Sequence, residues 1–279
     1  MASTDYVFTR DLLDNNRLNL QHYLWIELFG YHVHPTIASE TKSLSSLRVA
    51  DIGTGTGVWL TDLARRLPTT TTLDGLDISF DAVPPAECLP ANMTLYHFDV
   101  KSDVPDHLRS VYDIVHIRLL SFVLQDCEID WVARNIMQLL KPGGYIQWAE
   151  PDVSSFRIET AGPKDKDLPQ IQALIELLHV SQSQDPRLSP TWVRRLPAIF
   201  QSLGLGGVQS DVRDAPPDLA MASHCCNLAV HELIARKTGN DEVSAQLQRI
   251  IPGAVRESNL GAFWAFTRWT VIGQRSRNG

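Results

Sequence analysis

The chain is poor in cysteine and has no long apolar run. Its 279 residues contain four cysteines, which form neither a CxxC pattern nor the spacing of a disulfide framework. We therefore expect a reducing, cytoplasmic setting. No uninterrupted apolar run approaches the roughly 18 residues that cross a membrane, and the charged N-terminus lacks the apolar core of a secretory signal. The sequence predicts a soluble protein without a membrane span.

Positive charge is also scarce. The chain has 25 lysines and arginines against 32 acidic residues, for a formal net charge of −7, and contains no lysine or arginine run. Proteins that wrap nucleic acid need a basic face for its phosphates, so no nucleic-acid partner is expected. His32 and His34 form an H-x-H pair, but no third ligand lies nearby in the sequence, so we predict no metal site.

Strand and helix signals alternate through the first half of the chain. Strands are predicted at 47–52, in the β-branched segment that ends at Asp77, and at 93–100, 112–120 and 143–152. Helices are predicted at 58–67 and 129–140, the second closed by Lys-Pro-Gly-Gly. This alternation indicates βαβ units with right-handed crossovers. The predicted fold class is α/β, a doubly wound, mostly parallel, seven-stranded Rossmann-like sheet.

Helical segments flank this core on both sides. Leu18, His22, Trp25 and Phe29 lie at helical spacing in the first segment, which Pro35 is predicted to stop before a polar linker. After the core, helices are predicted at 168–180 and 191–205, a strand at 207–215, helical structure at 218–258 and one aromatic strand at 263–275. We predict a single domain with an N-terminal lid (1–46), a ligand-binding core (47–150), an insertion on the acceptor side (151–258) and a closing strand (259–279).

Three glycines follow the first predicted strand in the segment DIGTGTG. Gly53, Gly55 and Gly57 let the backbone approach a ligand closely, while the next helix offers its N-terminal N–H groups. A dinucleotide fingerprint would require glycine at position 58, which is Val58, and no GK[ST] follows for a P-loop. The spacing therefore favours a ligand without a pyrophosphate.

Acidic residues at the ends of neighbouring strands narrow the ligand further. Asp77 follows Asp51 by 26 residues, where a carboxylate accepts hydrogen bonds from ribose hydroxyls. Asp99 ends the third strand, in position to meet an adenine amino group beside the backbone of Val100, and Asp51 is close enough to the turn to hold an ammonium group. A ligand with an amino-acid end, a ribose and an adenine is S-adenosylmethionine. The predicted cofactor-binding residues are Asp51, Gly53, Thr54, Gly55, Gly57, Asp77, Ile78, Asp99, Val100, His116 and Arg118.

Together these segments resemble the successive motifs of class I S-adenosylmethionine-dependent methyltransferases. VADIGTGTG is similar to the first motif, LDGLDIS to the second, FDV to the third, YDIVHIRLL to the fourth, and LLKPGGYIQWAE to the strand-five signature. More narrowly, RLNLQHYLW, HIRLL and AFWAFTRWTVIG resemble fungal secondary-metabolite methyltransferases. The resemblance implies a natural-product acceptor, and it places RLNLQH as a lid over the cofactor.

The candidate catalytic residues are two histidines. His22 shares an apolar helix face, which fits either a core histidine or, under the implied lid, a general base for an acceptor hydroxyl. His116 lies with Arg118 near the end of the fourth strand, facing the methionine part of the cofactor. The predicted acceptor-binding residues are Arg17, Gln21, His22 and Trp148, of which Trp148 fits a pocket wall or the core.

The predicted reaction is methyl transfer to a heteroatom of a small molecule. The sulfonium is already an activated donor, so the main task of the protein is to align acceptor, methyl and sulfur. Oxygen is the expected acceptor atom, ahead of nitrogen or sulfur. Two alternatives stay open: a scaffold that uses the bound cofactor for cyclisation or dehydration, and a non-catalytic regulator of secondary metabolism.

Overall fold

A computed structural model describes residues 11–161, 167–184, 186–238 and 240–277. The helices are α1 (Leu12–Phe29), α2 (Pro35–Thr41), α3 (Val58–Ala64), α4 (Ile129–Met137), α5 (Pro169–Gln184), α6 (Leu196–Ser202), α7 (Pro217–Lys237) and α8 (Asp241–Asn259). The strands are β1 (Arg48–Ile52), β2 (Thr72–Asp77), β3 (Met93–His97), β4 (Tyr112–Arg118), β5 (Leu140–Pro151), β6 (Arg157–Thr160), β7 (Gly206–Arg213), β8 (Ala262–Ala265) and β9 (Arg268–Gln274). The first ten residues of the predicted lid and the last two of the predicted closing strand lie outside the described ranges.

The central sheet has seven strands in the order β3-β2-β1-β4-β5-β9-β7. Neighbouring strands are parallel from β3 to β5, whereas β9 runs antiparallel to both β5 and β7. The strand order reverses between β1 and β4, which in open α/β sheets is where ligands bind. The predicted fold class is therefore confirmed, and the glycine turn after β1 lies at this switch point.

The two faces of the sheet carry different cores because successive side chains of a strand point to opposite faces. In β1, Ala50 and Ile52 belong to the cluster that includes α4 and α6, whereas Val49 belongs to the cluster that includes α2 and α3. Helix α4 shows why such a segment folds against the sheet. Its buried residues recur three or four positions apart, which gives the helix one apolar stripe: Ile129, Val132, Ala133 and Ile136.

A third apolar cluster joins the helices that follow the core. It brings together α5, α7, α8 and β8, and α1 packs along α7. Helix α1 is delimited by local signals: Asp11 accepts hydrogen bonds from the backbone N–H groups of Leu13 and Asp14, both at 3.0 Å, and Gly30 ends the helix at φ +70°. No helix within the described ranges is both long enough and apolar enough for a membrane crossing.

Some predicted boundaries were wrong near proline. Pro35 begins α2 instead of only stopping α1, because the first turn of a helix does not need the N–H that proline lacks. The Lys-Pro-Gly-Gly segment lies inside β5 instead of closing α4. In the predicted 191–205 helix, a short 3₁₀ turn (Trp192–Arg195) precedes α6.

The predicted aromatic strand at 263–275 is in fact two strands in two sheets. Strand β8 pairs antiparallel with β6, which the sequence analysis did not identify, and β9 enters the central sheet. The chain turns between them, where the Thr267 backbone N–H donates to Ser155 Oγ at 2.7 Å and the Asp152 N–H donates to Thr267 O at 2.9 Å. This break matters because it places Arg268 at the start of β9, beside the carboxyl end of β5.

Candidate functional site

The glycine turn is held open by left-handed backbone. Gly53, Gly55 and Gly57 have φ values of +67°, +56° and +73°. Gly57 is the N-cap of α3, and its N–H donates to Thr54 O at 2.8 Å. At Gly55, a Cβ atom would meet only Gly53 O, at 3.9 Å, so this part of the turn faces open space. The turn thus offers a backbone surface that a ligand can approach directly.

Asp77 connects the glycine turn to the ends of β2 and β3. Its carboxylate accepts hydrogen bonds from the N–H groups of Gly55 at 2.9 Å and Ser79 at 3.2 Å, and its carbonyl accepts from Phe98 N–H at 3.0 Å. Asp99 follows directly, with its exposed carboxylate accepting from Lys101 N–H at 2.8 Å. The fold therefore brings the predicted ribose and adenine residues to the same edge as the turn.

The remaining two residues predicted for the adenosine end differ in exposure. Ile78 is 43% exposed and follows Asp77, where an apolar side chain is available to a purine ring. Val100 is buried in the core that includes α4, so only its backbone is available for the predicted contact with adenine.

A buried polar row crosses the three central strands next to the turn. The paired positions of β1, β4 and β5 place Asp51, His116 and Gln147 side by side, and all three are less than 5% exposed. Asp51 accepts from Thr54 Oγ1 at 2.9 Å and contacts His116 Nδ1 at 2.7 Å. The His116 ring stacks on Trp59 with centroids 3.8 Å apart, and burial lowers its pKa.

Gln147 in this row was not predicted as a functional residue. Its amide donates to His32 O at 2.9 Å and accepts from His34 N–H at 2.7 Å, which fixes the segment between α1 and α2 to the sheet. His34 itself accepts from Thr36 N–H through Nδ1 and so caps α2. An amide between the apolar residues Ile146 and Trp148 of β5 is the signal that could have identified Gln147.

His22 lies in a hydrogen-bonded chain that joins three elements. Its Nε2 contacts Asp62 Oδ2 at 3.1 Å, and its Nδ1 lies 3.0 Å from Arg118 Nη2. A carboxylate only accepts hydrogen bonds and a guanidinium only donates them, so the ring is neutral with its proton on Nε2. Burial and the charge of Arg118 lower the pKa of His22 to about 4. Both ring nitrogens are therefore engaged.

Asp62 anchors this chain through several donors. It contacts His32 Nε2 at 2.5 Å and accepts from Arg66 Nη2 at 3.2 Å. Although burial acts in the opposite direction, the hydrogen bonds from His32 and His22 lower the pKa of Asp62 to about 2. Asp62 is thus an ionised buried acceptor on α3, and the sequence analysis did not single it out.

His22, His32 and Asp62 are residue types that bind metal ions, but the groups next to them do not suit a metal site. Ligand atoms of His22, His32 and Asp62 all lie within 4.8 Å of one another. A histidine bound to a metal through Nε2 donates its Nδ1–H to an acceptor, yet Nδ1 of His22 faces the donor Arg118. Arg66 Nε also lies 3.2 Å from His32 Nε2. These contacts fit a hydrogen-bonded network of arginines and histidines around one carboxylate, and they do not fit metal coordination.

Helix α1 covers the turn and the end of β4. Asn19 Oδ1 accepts from Thr56 Oγ1 at 2.7 Å, which ties α1 to the glycine turn. The Arg118 guanidinium lies 5.9 Å from the Trp25 ring centroid, and burial lowers the pKa of Arg118 to about 10. Arg118 therefore stays charged at neutral pH beside the row that contains Asp51 and His116.

The other predicted acceptor-binding residues lie elsewhere. Arg17 donates to Asp14 and Gln21, and Gln21 donates to Asn227 of α7 at 3.1 Å, so both lie where α1 meets α7. Trp148 is fully buried in the core that includes α4, on the opposite face from His116. Of the two interpretations of Trp148, this geometry favours the core.

Glu150 is a further buried carboxylate that the sequence analysis left unassigned. It accepts hydrogen bonds from Leu120 N–H at 2.8 Å, Ser121 N–H at 3.1 Å and Trp148 Nε1 at 2.8 Å. Burial raises its pKa to about 7. These contacts fix the loop after β4, in which Leu119 adopts φ +64° and Leu120 packs against the Gly53 side of the turn.

Comparison with known proteins agrees with this geometry. Residues 49–144 match a family model described as a methyltransferase domain. Methyltransferase grgD from Penicillium sp is 37% identical over 151 residues, and the match spans 50% of this chain and 50% of grgD. N-methyltransferase tcpN from Claviceps purpurea is 28% identical over 276 residues, 92% of this chain and 93% of tcpN.

A solved structure shows the same fold. Phosphoethanolamine N-methyltransferase 2 from Haemonchus contortus, in complex with phosphomonomethylethanolamine and S-adenosylhomocysteine, has a TM-score of 0.50 at 15% identity. The likeness covers 98% of this chain and 59% of that chain.

The parallel sheet, the glycine turn at its switch point and the acidic ends of β2 and β3 are features of the class I S-adenosylmethionine-dependent methyltransferases, and residues 49–144 of the chain match the methyltransferase-domain model. Within the class it resembles methyltransferases of fungal secondary metabolism. The predicted enzyme class and the predicted cofactor are thereby confirmed.

Proposed function

We propose that the protein transfers the methyl group of S-adenosylmethionine to a nitrogen of a small-molecule natural product. The observation that carries the proposal is the glycine turn, whose Gly55 N–H is held by Asp77 beside the row of Asp51 and His116. When bound, the cofactor supplies an activated methyl group on a sulfonium. Alignment of the acceptor is then the main requirement for catalysis.

The residues around the turn suit such a cofactor. The open space at Gly55 accommodates a close backbone approach, and Asp77 supplies carboxylate oxygens for ribose hydroxyls. Asp51 offers a negative charge for the ammonium group, whereas Arg118 offers a positive charge for the carboxylate. Asp99 and the backbone of Val100 would hold the adenine.

Nitrogen is proposed ahead of oxygen for two reasons. The aligned relative that spans 92% of this chain is named an N-methyltransferase. In addition, burial and Arg118 hold the pKa of His22 at about 4, and Nδ1 of His116 is committed to Asp51. Such histidines are weak bases, and a neutral amine needs no base before it attacks, because its proton leaves after the new bond forms.

Calorimetry with S-adenosylmethionine tests the cofactor site. We expect micromolar binding to the wild type, at least tenfold weaker binding to Asp77→Ala, and unchanged binding to Asp81→Ala. Asp81 is the matched control because it is exposed and contacts only Ser79 nearby. The absence of binding to the folded wild type would contradict the proposal.

Turnover tests the acceptor atom. Incubation with methyl-labelled cofactor and a panel of paired amines and phenols, followed by mass spectrometry, should place the label on nitrogen with stoichiometric S-adenosylhomocysteine. Label on oxygen alone would refute the choice of nitrogen. Cofactor binding without S-adenosylhomocysteine across all acceptors would favour a non-methylating enzyme or a regulator.

A further inference from the structure

Arg118 ends β4 beside the first glycine of the turn. The last pair in the register of β1 and β4 is Ile52 with Ile117, so the next positions along the two chains are Gly53 and Arg118. The Arg118 side chain is partly exposed. Arg118 therefore lies at the edge of the sheet where a ligand on the glycine turn would bind.

The Arg118 guanidinium has several N–H donors but few polar partners. Within the described ranges, its only hydrogen bond joins Nη2 to Nδ1 of His22, at 3.0 Å. Asp51 and Glu150 are the carboxylates whose charges act on Arg118, and both are engaged with other groups. The described part of the chain thus leaves donors of this cation available to an anionic ligand group.

His22 is fully buried on α1, and both of its ring nitrogens are in use. Nε2 contacts Asp62 Oδ2 at 3.1 Å, and Nδ1 faces Arg118. A neutral imidazole has one N–H donor and one acceptor nitrogen, so no ring nitrogen remains for an acceptor molecule. His22 therefore affects the cofactor site through Arg118 and not through direct contact.

The other end of this chain is fixed to the helix that follows the glycine turn. Asp62 lies on α3, and the N-cap of α3 is Gly57. The Asp62 carboxylate is buried and also contacts His32 and Arg66, so it is held from several sides. His22 thus links the end of β4 to the element that carries the turn, and it fixes the guanidinium relative to the turn.

We propose that His22 is a positioning residue, which holds the Arg118 guanidinium in the orientation that binds the carboxylate of the cofactor. This inference rests on the proposed function, because Arg118 is assigned to that carboxylate there. An arginine side chain loses rotamer freedom when it binds a ligand, and one that is already oriented loses less. His22 therefore strengthens binding of the amino-acid end of the cofactor and leaves binding of the adenosine end unchanged.

Two ligands separate the ends of the cofactor. S-adenosylhomocysteine carries the amino-acid end, whereas 5′-methylthioadenosine has the same adenosine and thioether without it. In calorimetry on the full chain, His22→Gln should bind S-adenosylhomocysteine about tenfold more weakly than the wild type does, the effect of one charge-assisted hydrogen bond. Its affinity for 5′-methylthioadenosine should stay within about twofold of the wild type.

His22→Asn is the conservative variant. The amide of asparagine lies close to the position of Nδ1, where it can still accept from Arg118, whereas the amide of glutamine lies close to that of Nε2. His22→Asn should therefore bind S-adenosylhomocysteine more tightly than His22→Gln does. A general loss of packing would not restore affinity for one ligand in this way.

His224→Gln is the matched control. His224 is also fully buried with both ring nitrogens engaged, by Ser258 Oγ at 2.7 Å and by the Trp264 N–H at 3.4 Å, but it lies on α7. This variant should bind both ligands like the wild type. Thermal melts establish that each variant is folded.

Arg118→Gln tests the same link without a change at position 22. It should show at least the selective loss of His22→Gln, and the double variant should lose no more than Arg118→Gln alone. Independent losses in the double variant would show that His22 does not act through Arg118. Unchanged ligand selectivity in Arg118→Gln would overturn the inference even if His22→Gln does not fold.

The remaining outcomes separate this inference from the proposed function. Unchanged S-adenosylhomocysteine binding in folded His22→Gln, an equal loss of both ligands, or equal losses in His22→Asn and His22→Gln would overturn the positioning role. Binding and turnover of S-adenosylmethionine by the wild type would then leave the proposed function intact. A folded wild type that binds neither S-adenosylmethionine nor S-adenosylhomocysteine would refute the proposed function, and the positioning role with it.

Discussion

Replacing Asp62 with asparagine should destabilise the protein strongly although it changes only one atom. Asp62 is 4% exposed, and its carboxylate accepts hydrogen bonds from three side chains. The donors are His22 Nε2 at 3.1 Å, His32 Nε2 at 2.5 Å and Arg66 Nη2 at 3.2 Å. Asparagine keeps one carbonyl acceptor, but its amide group adds donors among groups that also donate. His22 would lose the acceptor for its Nε2 proton, and with it the geometry that presents Nδ1 to Arg118.

The magnitude follows from the pKa of the carboxylate. A fall from 3.8 to about 2 means that folding favours the ionised form by about 2 kcal/mol. Because the folded pKa is depressed, this contribution is complete above pH 3.8 and is lost as the pH falls toward 2. Removing one partner of a buried ion pair costs about 3–5 kcal/mol. We therefore expect Asp62→Asn to lose about 3 kcal/mol at pH 7.

Urea unfolding at pH 7, followed by circular dichroism, measures this difference provided that the m-value stays constant. Asp106→Asn is the matched control: its carboxylate is fully exposed and contacts only Arg109, so its unfolding curve should match that of the wild type. A loss below about 0.5 kcal/mol for Asp62→Asn, the range of ordinary surface substitutions, would refute the reasoning.

Two further predictions concern His22 and the glycine turn. Folding lowers the pKa of His22 from 6.5 to about 4. The free energy of unfolding of the wild type, measured by urea titrations and compared with that of His22→Gln, should therefore fall by about 3 kcal/mol between pH 6.5 and pH 4. If the difference between the two proteins stays constant over this pH range, the His22 ring is not neutral in the folded state. Gly55→Ala and Gly204→Ala both place a side chain at positive φ, with values of +56° and +77°, and should each cost about 1–2 kcal/mol. Only Gly55→Ala should also weaken S-adenosylmethionine binding in calorimetry. If Gly204→Ala weakens this binding equally, the glycine turn is not part of the cofactor site.

Local rules account for the parts of the site that were predicted from the sequence. The glycine turn depends on backbone conformations within a few residues, and β2 ends at Asp77 as its pattern indicates. Since parallel strands end at one edge, Asp99 could be placed beside Asp77 without coordinates. The class of enzyme and its cofactor followed from these short segments.

The residues that the sequence analysis missed or left open between two roles share a different property: their partners are distant in the sequence. His22 meets Asp62 across 40 positions and Arg118 across 96. Gln147 reaches His32 across 115 positions. A lone histidine on an apolar helix face is equally compatible with a core or a catalytic role, and only its neighbours decide between them.

The end of the chain shows the same division. An aromatic, β-branched run at 263–275 predicts strand structure, and strands are present on both sides of Thr267. Their separation into two sheets depends on β6, about a hundred residues earlier, which pairs with β8. The sequence by itself determined the sheet, the turn and the cofactor class, because these depend on local backbone preference and apolar pattern. Only the tertiary structure decided that His22 is a neutral link to Arg118 and that Arg268 is a buried cation, because charge and burial depend on groups that folding brings together.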